Sequence, residues 1–234
     1  RWLEPPPRTT MAFVSLSEEP PLTAAELESY LARKTTGPND IFVLAELKPL
    51  DRQHYAISTR VQDLVLRMAT LRHASGVIGF HPDPFHPDYG LLYPNGAPAE
   101  LYLPWRTTAE AIGEGQFLGS VLLPGGSSNF IFAKNEEGLM LVWNDRHVRE
   151  NLYLGDDVRI TDVWGATVPY EKTPEGQSFS VDQWPQFVHG ISVPVARWRQ
   201  EAGIAITRLP SVYGVPHRNK LRWQNTFDRP VSGE

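Results

Sequence analysis

Two short stretches of the sequence hold ionisable side chains where a fold could use them for chemistry. In the first, the five apolar residues 41–45 are followed by Glu46, and Lys48 comes two residues later. An unbroken apolar run of this length, bounded by turn residues, is typical of a strand that is buried on both faces of a parallel sheet. Because parallel α/β folds keep their reactive groups at the carboxyl ends of strands, Glu46 is a candidate catalytic carboxylate. The alternative is a strand-end Glu that is bonded to a neighbouring Arg or to a backbone N–H.

The second stretch is the loop 81–88, His-Pro-Asp-Pro-Phe-His-Pro-Asp, which follows a short apolar run ending at Phe80. Imidazole and carboxylate groups are suitable ligands for Zn²⁺ or Mn²⁺. However, three prolines stiffen this loop, and metal ligands usually come from helical spacing or from separate elements, so we predict no metal site. The loop then either lines a site beside Glu46, through His81 and Asp83, or is a solvated Pro-rich loop.

The elements that would position these groups follow the order βαβαβα up to residue 112. Strands are predicted at 11–16, 41–47 and 77–80, and helices at 24–33, 57–71 and 99–112, the last perturbed near Pro104. The second helix has the clearest pattern, because its apolar residues recur at the helical period on one face. These residues are Ile57, Val61, Leu64, Val65, Met68 and Leu71.

After residue 113 the pattern changes to short strands at roughly ten-residue spacing, separated by turn residues. They are predicted at 118–123, 129–133, 139–143, 158–163, 167–170, 178–181 and 186–191. This pattern is typical of an antiparallel β-sandwich, and strand-like sequence resumes after residue 203. The predicted fold class is therefore α/β followed by all-β. Its parts are an extended Pro-rich segment at 1–10, the α/β units at 11–113, a β-sandwich at 114–201 and the start of a further β-domain at 202–234.

The composition restricts the partners of the protein. The 234 residues carry a formal net charge of −5 and no basic run, so we predict no nucleic-acid partner. No apolar stretch approaches the ~20 residues that a membrane-spanning helix needs, and no phosphate-binding loop is present, so we predict neither a membrane span nor a cofactor. The absence of Cys, with 21 Pro and 7 Trp, favours an extracytoplasmic location: periplasmic, cell-surface or secreted.

The order of these stretches resembles the end of the barrel in the large clan of (β/α)8-barrel glycoside hydrolases that carry glutamates on strands four and seven. Residues 42–47 are similar to the seventh strand, which ends in a Glu, and the helix that follows carries Gln62 and Arg67. Residues 90–98 are similar to the phrase that follows the eighth strand. The resemblance covers about residues 10–200 and is one of order and sequence character rather than of a sharp motif.

The resemblance implies that Glu46 is the nucleophile of a retaining glycoside hydrolase and that Phe80, His81 and Asp83 shape a carbohydrate subsite. Retention needs a second carboxylate ~5 Å away as general acid/base, and its counterpart in strand four would lie before Arg1. The chain has too few βα units to close a barrel, so we expect a fragment of a multidomain protein. The remainder of the same polypeptide, or another chain, would cover the incomplete barrel. The alternative is a non-catalytic scaffold or structural module of a large extracytoplasmic modular protein.

Overall fold

A computed structural model describes residues 10–15, 41–73, 77–134, 136–174 and 176–202, which form a mixed α/β structure. The described helices are α1 (Ile57–Leu71), α2 (Tyr102–Ile112) and α3 (Val193–Ala202). The first six described strands are β1 (Thr10–Ser15), β2 (Ile41–Glu46), β3 (Val77–Phe80), β4 (Gln116–Gly119), β5 (Ser128–Lys134) and β6 (Glu137–Trp143). The others are β7 (Val148–Leu152), β8 (Arg159–Asp162), β9 (Thr167–Val168), β10 (Glu171–Thr173), β11 (Gly176–Val181) and β12 (Gln186–Ser192).

The first three strands form a parallel sheet with β2 in the centre. Ser15 of β1 and Phe80 of β3 are both in register with Glu46, so the three strands end at one level. This confirms the predicted parallel strands around residues 41–47 and 77–80. The helix predicted at 24–33 lies outside the described residues. So does the predicted start of a further β-domain at 202–234, except for Ala202, which ends α3.

Helix α1 packs the predicted apolar face against this sheet. Val61, Leu64 and Val65 are almost completely buried, whereas Ile57 in the first turn is 38% exposed. Burial of each such side chain contributes ~1.5–3 kcal/mol relative to leaving it in water. The helix also buries charge, since Arg67 Nε donates to the Asp63 carboxylate one turn earlier at 2.9 Å.

Helix α2 begins at Tyr102, three residues later than predicted, and Pro104 lies in its first turn. A proline there costs no intrahelical hydrogen bond, because the first N–H groups of a helix have no intrahelical acceptor. Pro104 therefore marks the start of the helix, and the predicted perturbation of the helix around it is wrong.

From residue 116 to residue 192 the described elements are all strands, in two antiparallel sheets. One has the order β4-β5-β6-β12-β8-β9 and the other the order β10-β11-β7. The larger sheet has an irregularity in β12, where Gly190 has a φ of +73° and the register shifts between His189 and Ile191. A Cβ on Gly190 would lie 2.3 Å from the Asp157 carbonyl oxygen, so a side chain does not fit at this bulge.

Strand β6 is buried on both faces of the larger sheet. Leu139 and Leu141 belong to the apolar cluster that contains α1. Met140 and Val142 belong to a second cluster, to which the smaller sheet contributes Phe179. The larger sheet therefore separates α1 and α2 from the smaller sheet, whereas Ala196 of α3 packs on the same side as Phe179. This double burial explains why β6 is apolar from Leu139 to Trp143 rather than alternating.

Three described elements were not predicted, namely β7, β10 and α3. Strand β7 has the polar sequence Val-Arg-Glu-Asn-Leu, and its Glu150 is completely buried. The Glu150 carboxylate accepts hydrogen bonds from the backbone N–H groups of Gly125 at 2.8 Å and Ser127 at 3.0 Å, which compensates its burial. None of the described helices combines the length and apolar character that crossing a membrane requires.

Candidate functional site

The carboxyl ends of β2 and β3 meet two loops that together form the candidate site. Glu46 is partly exposed at the end of β2, and Leu47 N–H donates to the Phe80 carbonyl at 2.8 Å, which ties the start of one loop to the start of the other. This is the edge at which α/β folds place their ligands. The predicted position of Glu46 at the carboxyl end of a parallel strand is thus confirmed, and the strand is the central one of its sheet. The chemical role of Glu46 stays a prediction.

The loop after β3 is held in one conformation by its own backbone. Gly90 N–H donates to the His86 carbonyl and Leu91 N–H to the Pro84 carbonyl, each at 2.8 Å. A Cβ on Gly90 would lie 2.4 Å from the His86 carbonyl oxygen, so only glycine fits where this loop turns back on itself. The loop therefore presents its side chains from an ordered backbone.

Arg60 of α1 fastens both loops to the helix beneath them. Its buried guanidinium donates to the Leu50 carbonyl at 3.0 Å in the loop after β2 and to the Asp88 carbonyl at 3.3 Å in the loop after β3. It also forms an ion pair with Glu100 at 2.6 Å. One side chain thereby fixes the separation of the two loops.

Between the loops lies a cavity of about 350 Å³, which we call the edge pocket. Its polar walls include Lys48, Asp51, Arg67, His86, Asp88 and Tyr89. This volume lies at the low end of the ~300–1,000 Å³ that is usual for small-molecule sites. The mixture of cations, carboxylates and an aromatic ring provides donors and acceptors around one small ligand.

Tyr89 lines the edge pocket and senses the charge of Glu46. Partial burial, together with the negative charges of Asp83, Glu46 and Asp88, raises the pKa of the Tyr89 phenol above its ordinary value. The phenol therefore keeps its proton at neutral pH and can donate a hydrogen bond. Lys48 Nζ lies 5.0 Å from the centre of the Tyr89 ring, within the range of a cation–π contact.

Part of the edge-pocket wall is fixed by Asp51. Its carboxylate accepts the backbone N–H of Gln53 at 2.9 Å and contacts His54 Nδ1 at 2.8 Å. Desolvation raises the pKa of Asp51, but the hydrogen bonds from His54 and Gln53 outweigh it, so the pKa is lowered and the carboxylate is charged at neutral pH.

The four predicted site residues lie at this edge, beside the edge pocket rather than in its walls. Glu46 and Phe80 end neighbouring strands in register. His81 is turned inwards, with Nε2 3.1 Å from the Tyr89 carbonyl and its ring 5.5 Å from that of Trp105. Burial lowers the pKa of His81, against the opposing effects of the Tyr89 carbonyl and of Asp83. His81 therefore supports the loop as a neutral donor.

Asp83 is exposed and stabilises the turn that follows it, since its carboxylate accepts the Phe85 N–H at 3.1 Å. In the same loop His86 Nδ1 accepts the Asp88 N–H at 3.1 Å. The His and Asp groups of the loop are thus directed to different partners. Nowhere in the described ranges do three His, Asp or Glu side chains converge as metal ligands would.

Sequence reasoning did not identify Arg60 and Tyr89 as parts of the site. The available signal for Arg60 is its place on the buried face of α1, directly before the apolar Val61. A charged residue on such a face needs a partner, and here the partners are loop carbonyls. Tyr89 carries no comparable signal, because only the folded loop brings its ring over Lys48.

Two solved structures of glycoside hydrolases have a fold similar to part of this chain. A family 39 glycoside hydrolase from the gut symbiont Bacteroides cellulosilyticus WH2 matches with a TM-score of 0.59 and 16% identity, covering 74% of this chain and 39% of that one. A family 30 endoxylanase from Clostridium papyrosolvens C71 matches with a TM-score of 0.50 and 8% identity, covering 78% of this chain and 49% of that one. No protein-family model and no curated protein matches the sequence significantly.

These likenesses show the fold alone. Over about three quarters of its length the chain has a fold that glycoside hydrolases use, and it spans less than half the length of either matched structure. The expectation of a glycoside hydrolase-like fold is confirmed at this level.

Proposed function

We propose that this chain contributes the last βα units of a (β/α)8 barrel and an attached β-sandwich to a protein that acts on or binds carbohydrate. The observation that carries the proposal is the placement of Glu46 at the carboxyl end of the central parallel strand, beside the polar edge pocket. The two sheets that share the cluster around Met140 support the sandwich part of the proposal.

In the proposed reaction Glu46 is the nucleophile of a retaining glycoside hydrolase. Its carboxylate attacks the anomeric carbon while the glycosidic C–O bond breaks and a second carboxylic acid protonates the leaving oxygen. Water then displaces Glu46, and the second carboxylate takes up a proton. Tyr89, a protonated phenol whose pKa Glu46 helps to raise, would donate a hydrogen bond to the sugar from the wall of the edge pocket. Phe80, His81 and Asp83 would shape the loop around the subsite.

The second carboxylate would come from the polypeptide that completes the barrel. Support for such a partner comes from β3, which pairs only with β2 within the described ranges and leaves Ile78 53% exposed. An uncovered strand with an apolar side chain is a site for pairing with a further strand. The remainder of the same polypeptide or another chain would supply it.

The nucleophile can be tested without the second carboxylate. An activated 2-deoxy-2-fluoro glycoside with a dinitrophenolate leaving group needs no acid, so Glu46 should form an ester with the anomeric carbon as dinitrophenolate departs. Mass spectrometry of the chain treated with a panel of such sugars should find one glycosyl unit on the peptide that contains Glu46. Glu46→Gln should remain unlabelled, and the exposed control Glu110→Gln should be labelled like the wild type.

A scaffold role is the second candidate, and the uncovered apolar edge of β3 favours it, because a module that holds a partner needs such a surface. If wild-type protein and Glu46→Gln stay equally unlabelled and bind no sugar in calorimetric titrations, the catalytic proposal fails and the scaffold role remains. We propose an extracytoplasmic location for either role, which fractionation of the source cells would check.

A further inference from the structure

A second concave surface adjoins the edge pocket on the far side of His86 and Asp88. This surface, which we call the aromatic groove, has a volume of about 260 Å³, and its walls include Arg52, Arg60, Phe85, Tyr93 and Glu100. His86 and Asp88 form part of the walls of both cavities. The edge pocket and the aromatic groove are therefore neighbours, with His86 and Asp88 between them.

Two aromatic rings are displayed in the aromatic groove. Phe85 is 49% exposed and Tyr93 is 41% exposed. Aromatic side chains usually bury most of their surface, so two partly exposed rings on one small concave surface indicate a binding surface.

Both rings stand on ordered turns, which lowers the entropy cost of binding. Phe85 N–H donates to the Asp83 carboxylate at 3.1 Å. Tyr93 N–H donates to the Ala97 carbonyl at 2.8 Å, and Asn95 closes that turn by accepting the Ala97 N–H at 3.0 Å. The backbone from which the two rings project is thus fixed before any ligand arrives.

Charged groups of both signs surround the rings. Arg52 lies 3.8 Å from Asp88, and the carboxylate of Glu100, half exposed, pairs with Arg60. The aromatic groove therefore combines apolar ring faces with hydrogen-bond donors and acceptors at their edges. A pyranose has the same arrangement, because its C–H bonds form apolar faces and its hydroxyl groups project from the rim.

We propose that the aromatic groove binds a further pyranose unit of a chain whose neighbouring unit lies in the edge pocket, so that the ligand is an oligosaccharide rather than a single sugar. The inference rests on the proposed function and names its substrate class. A volume of about 260 Å³ suits one sugar ring better than a helix or strand of a partner protein.

Isothermal titration calorimetry with sugars of one to six units would test this, using β-1,4-xylo-, β-1,4-gluco- and α-1,4-gluco-oligosaccharides as probes. In at least one series the wild-type chain should bind the trisaccharide ~tenfold more tightly than the monosaccharide, because stacking on two rings adds to the affinity. Phe85→Ala, Tyr93→Ala and the double variant should lose most of this gain and keep the affinity for the monosaccharide. Trp164→Ala, which removes an indole that is 38% exposed outside the groove, should bind like the wild type.

The outcomes separate the two proposals. Suppose that the wild-type chain binds the monosaccharide and the trisaccharide with equal affinity, and that Tyr89→Phe abolishes this binding whereas Phe85→Ala does not. This result would overturn the proposed role of the aromatic groove and leave that of the edge pocket. A length-dependent gain that persists in the double variant would also overturn the groove. If no sugar of any length binds the wild-type chain, the proposed function fails and this inference fails with it.

Discussion

Two half-buried histidines, His81 and His189, have pKa values below that of a free imidazole. For His189 burial is the main cause, and the positive charges of Arg159 and Lys134 add to it. Its Nε2 lies 3.0 Å from the Thr161 hydroxyl, a contact that a neutral ring makes as donor or acceptor. For His81 burial dominates. Both side chains are therefore neutral in the folded protein at pH 7.

This state predicts an acid-dependent loss of stability. An unfolded His titrates near pH ~6.5, and the folded groups titrate lower, so between the two values the unfolded chain binds more protons. The free energy of unfolding should then be highest above pH ~6.5 and fall as the pH drops below it. Urea unfolding, measured at intervals from about pH 8 to pH 5.5, gives the free energy of unfolding at each pH. This free energy should fall less for His189→Gln than for the wild type as the pH drops. The exposed control His147→Gln should follow the wild-type curve, and identical curves for all three proteins would contradict the assignment.

At the scale of elements, α1 acts as the base on which both site loops rest. Arg60 is buried and reaches Leu50, Asp88 and Glu100, which belong to three different segments of the chain. Removing such a group leaves carbonyl oxygens and a carboxylate without the donor around which they are arranged.

Arg60→Met should lower the free energy of unfolding by about 2–4 kcal/mol, because the apolar replacement retains bulk but makes none of the hydrogen bonds. Denaturant unfolding would measure the loss, and hydrogen exchange at Gly90 and Leu91 should accelerate as the loop loosens. Arg106→Met is the matched control: its pair with Glu110 on α2 is largely exposed, and its removal should leave stability unchanged. Equal stability of the two variants would show that Arg60 does not anchor the loops.

The sequence allowed prediction of elements whose pattern is local. The apolar face of α1 and the strand that ends at Glu46 were both found, because periodicity and an unbroken apolar run are readable without knowing the fold. Strand β7 was missed because a Glu in a short polar segment suggests an exposed side chain. The burial of Glu150 depends on N–H groups of a turn that is distant in sequence. Helix α3 was missed although Pro194, near its start, is a typical first-turn residue.

The site was predictable in part for the same reason. Glu46, Phe80, His81 and Asp83 end or follow predicted strands, so their common location could be deduced from parallel pairing. The edge pocket itself brings together the loop after β2, Arg67 of α1 and residues of the loop after β3 that include Tyr89. Such convergence depends on tertiary packing. No local pattern predicts it.

At the scale of the whole molecule, the edge of β3 that faces away from β2 has no partner strand within the described residues. Ile78 on β3 is exposed next to an apolar cavity of about 300 Å³, whose walls include Leu47, Met68, Leu71 and Trp105. Val77, its neighbour on the strand, is buried. An apolar strand edge of this kind favours association.

We therefore expect the purified 234-residue chain to self-associate as its concentration rises. Ile78→Lys should reduce this association, because a charge on an edge strand opposes pairing. Size-exclusion chromatography with light scattering would measure the mass, and Leu122→Lys, at a leucine that is 83% exposed outside the sheets, is the control. A wild-type chain that stays monomeric at every concentration, without a partner polypeptide, would contradict the proposed incomplete barrel.

The double burial of β6 also affects how the protein is made. Strand β6 pairs with β5 on one side and with β12 on the other. Strand β5 precedes β6 in the chain, whereas β12 is synthesised only after β7 to β11. While a ribosome synthesises the chain, the edge of Leu139–Met140–Leu141–Val142 stays unpaired until β12 has left the exit tunnel. An uncharged apolar β-segment in that state is a target for chaperones and a nucleus for aggregation. We therefore expect chains that end before Ser192 to aggregate more than the full chain when they are produced.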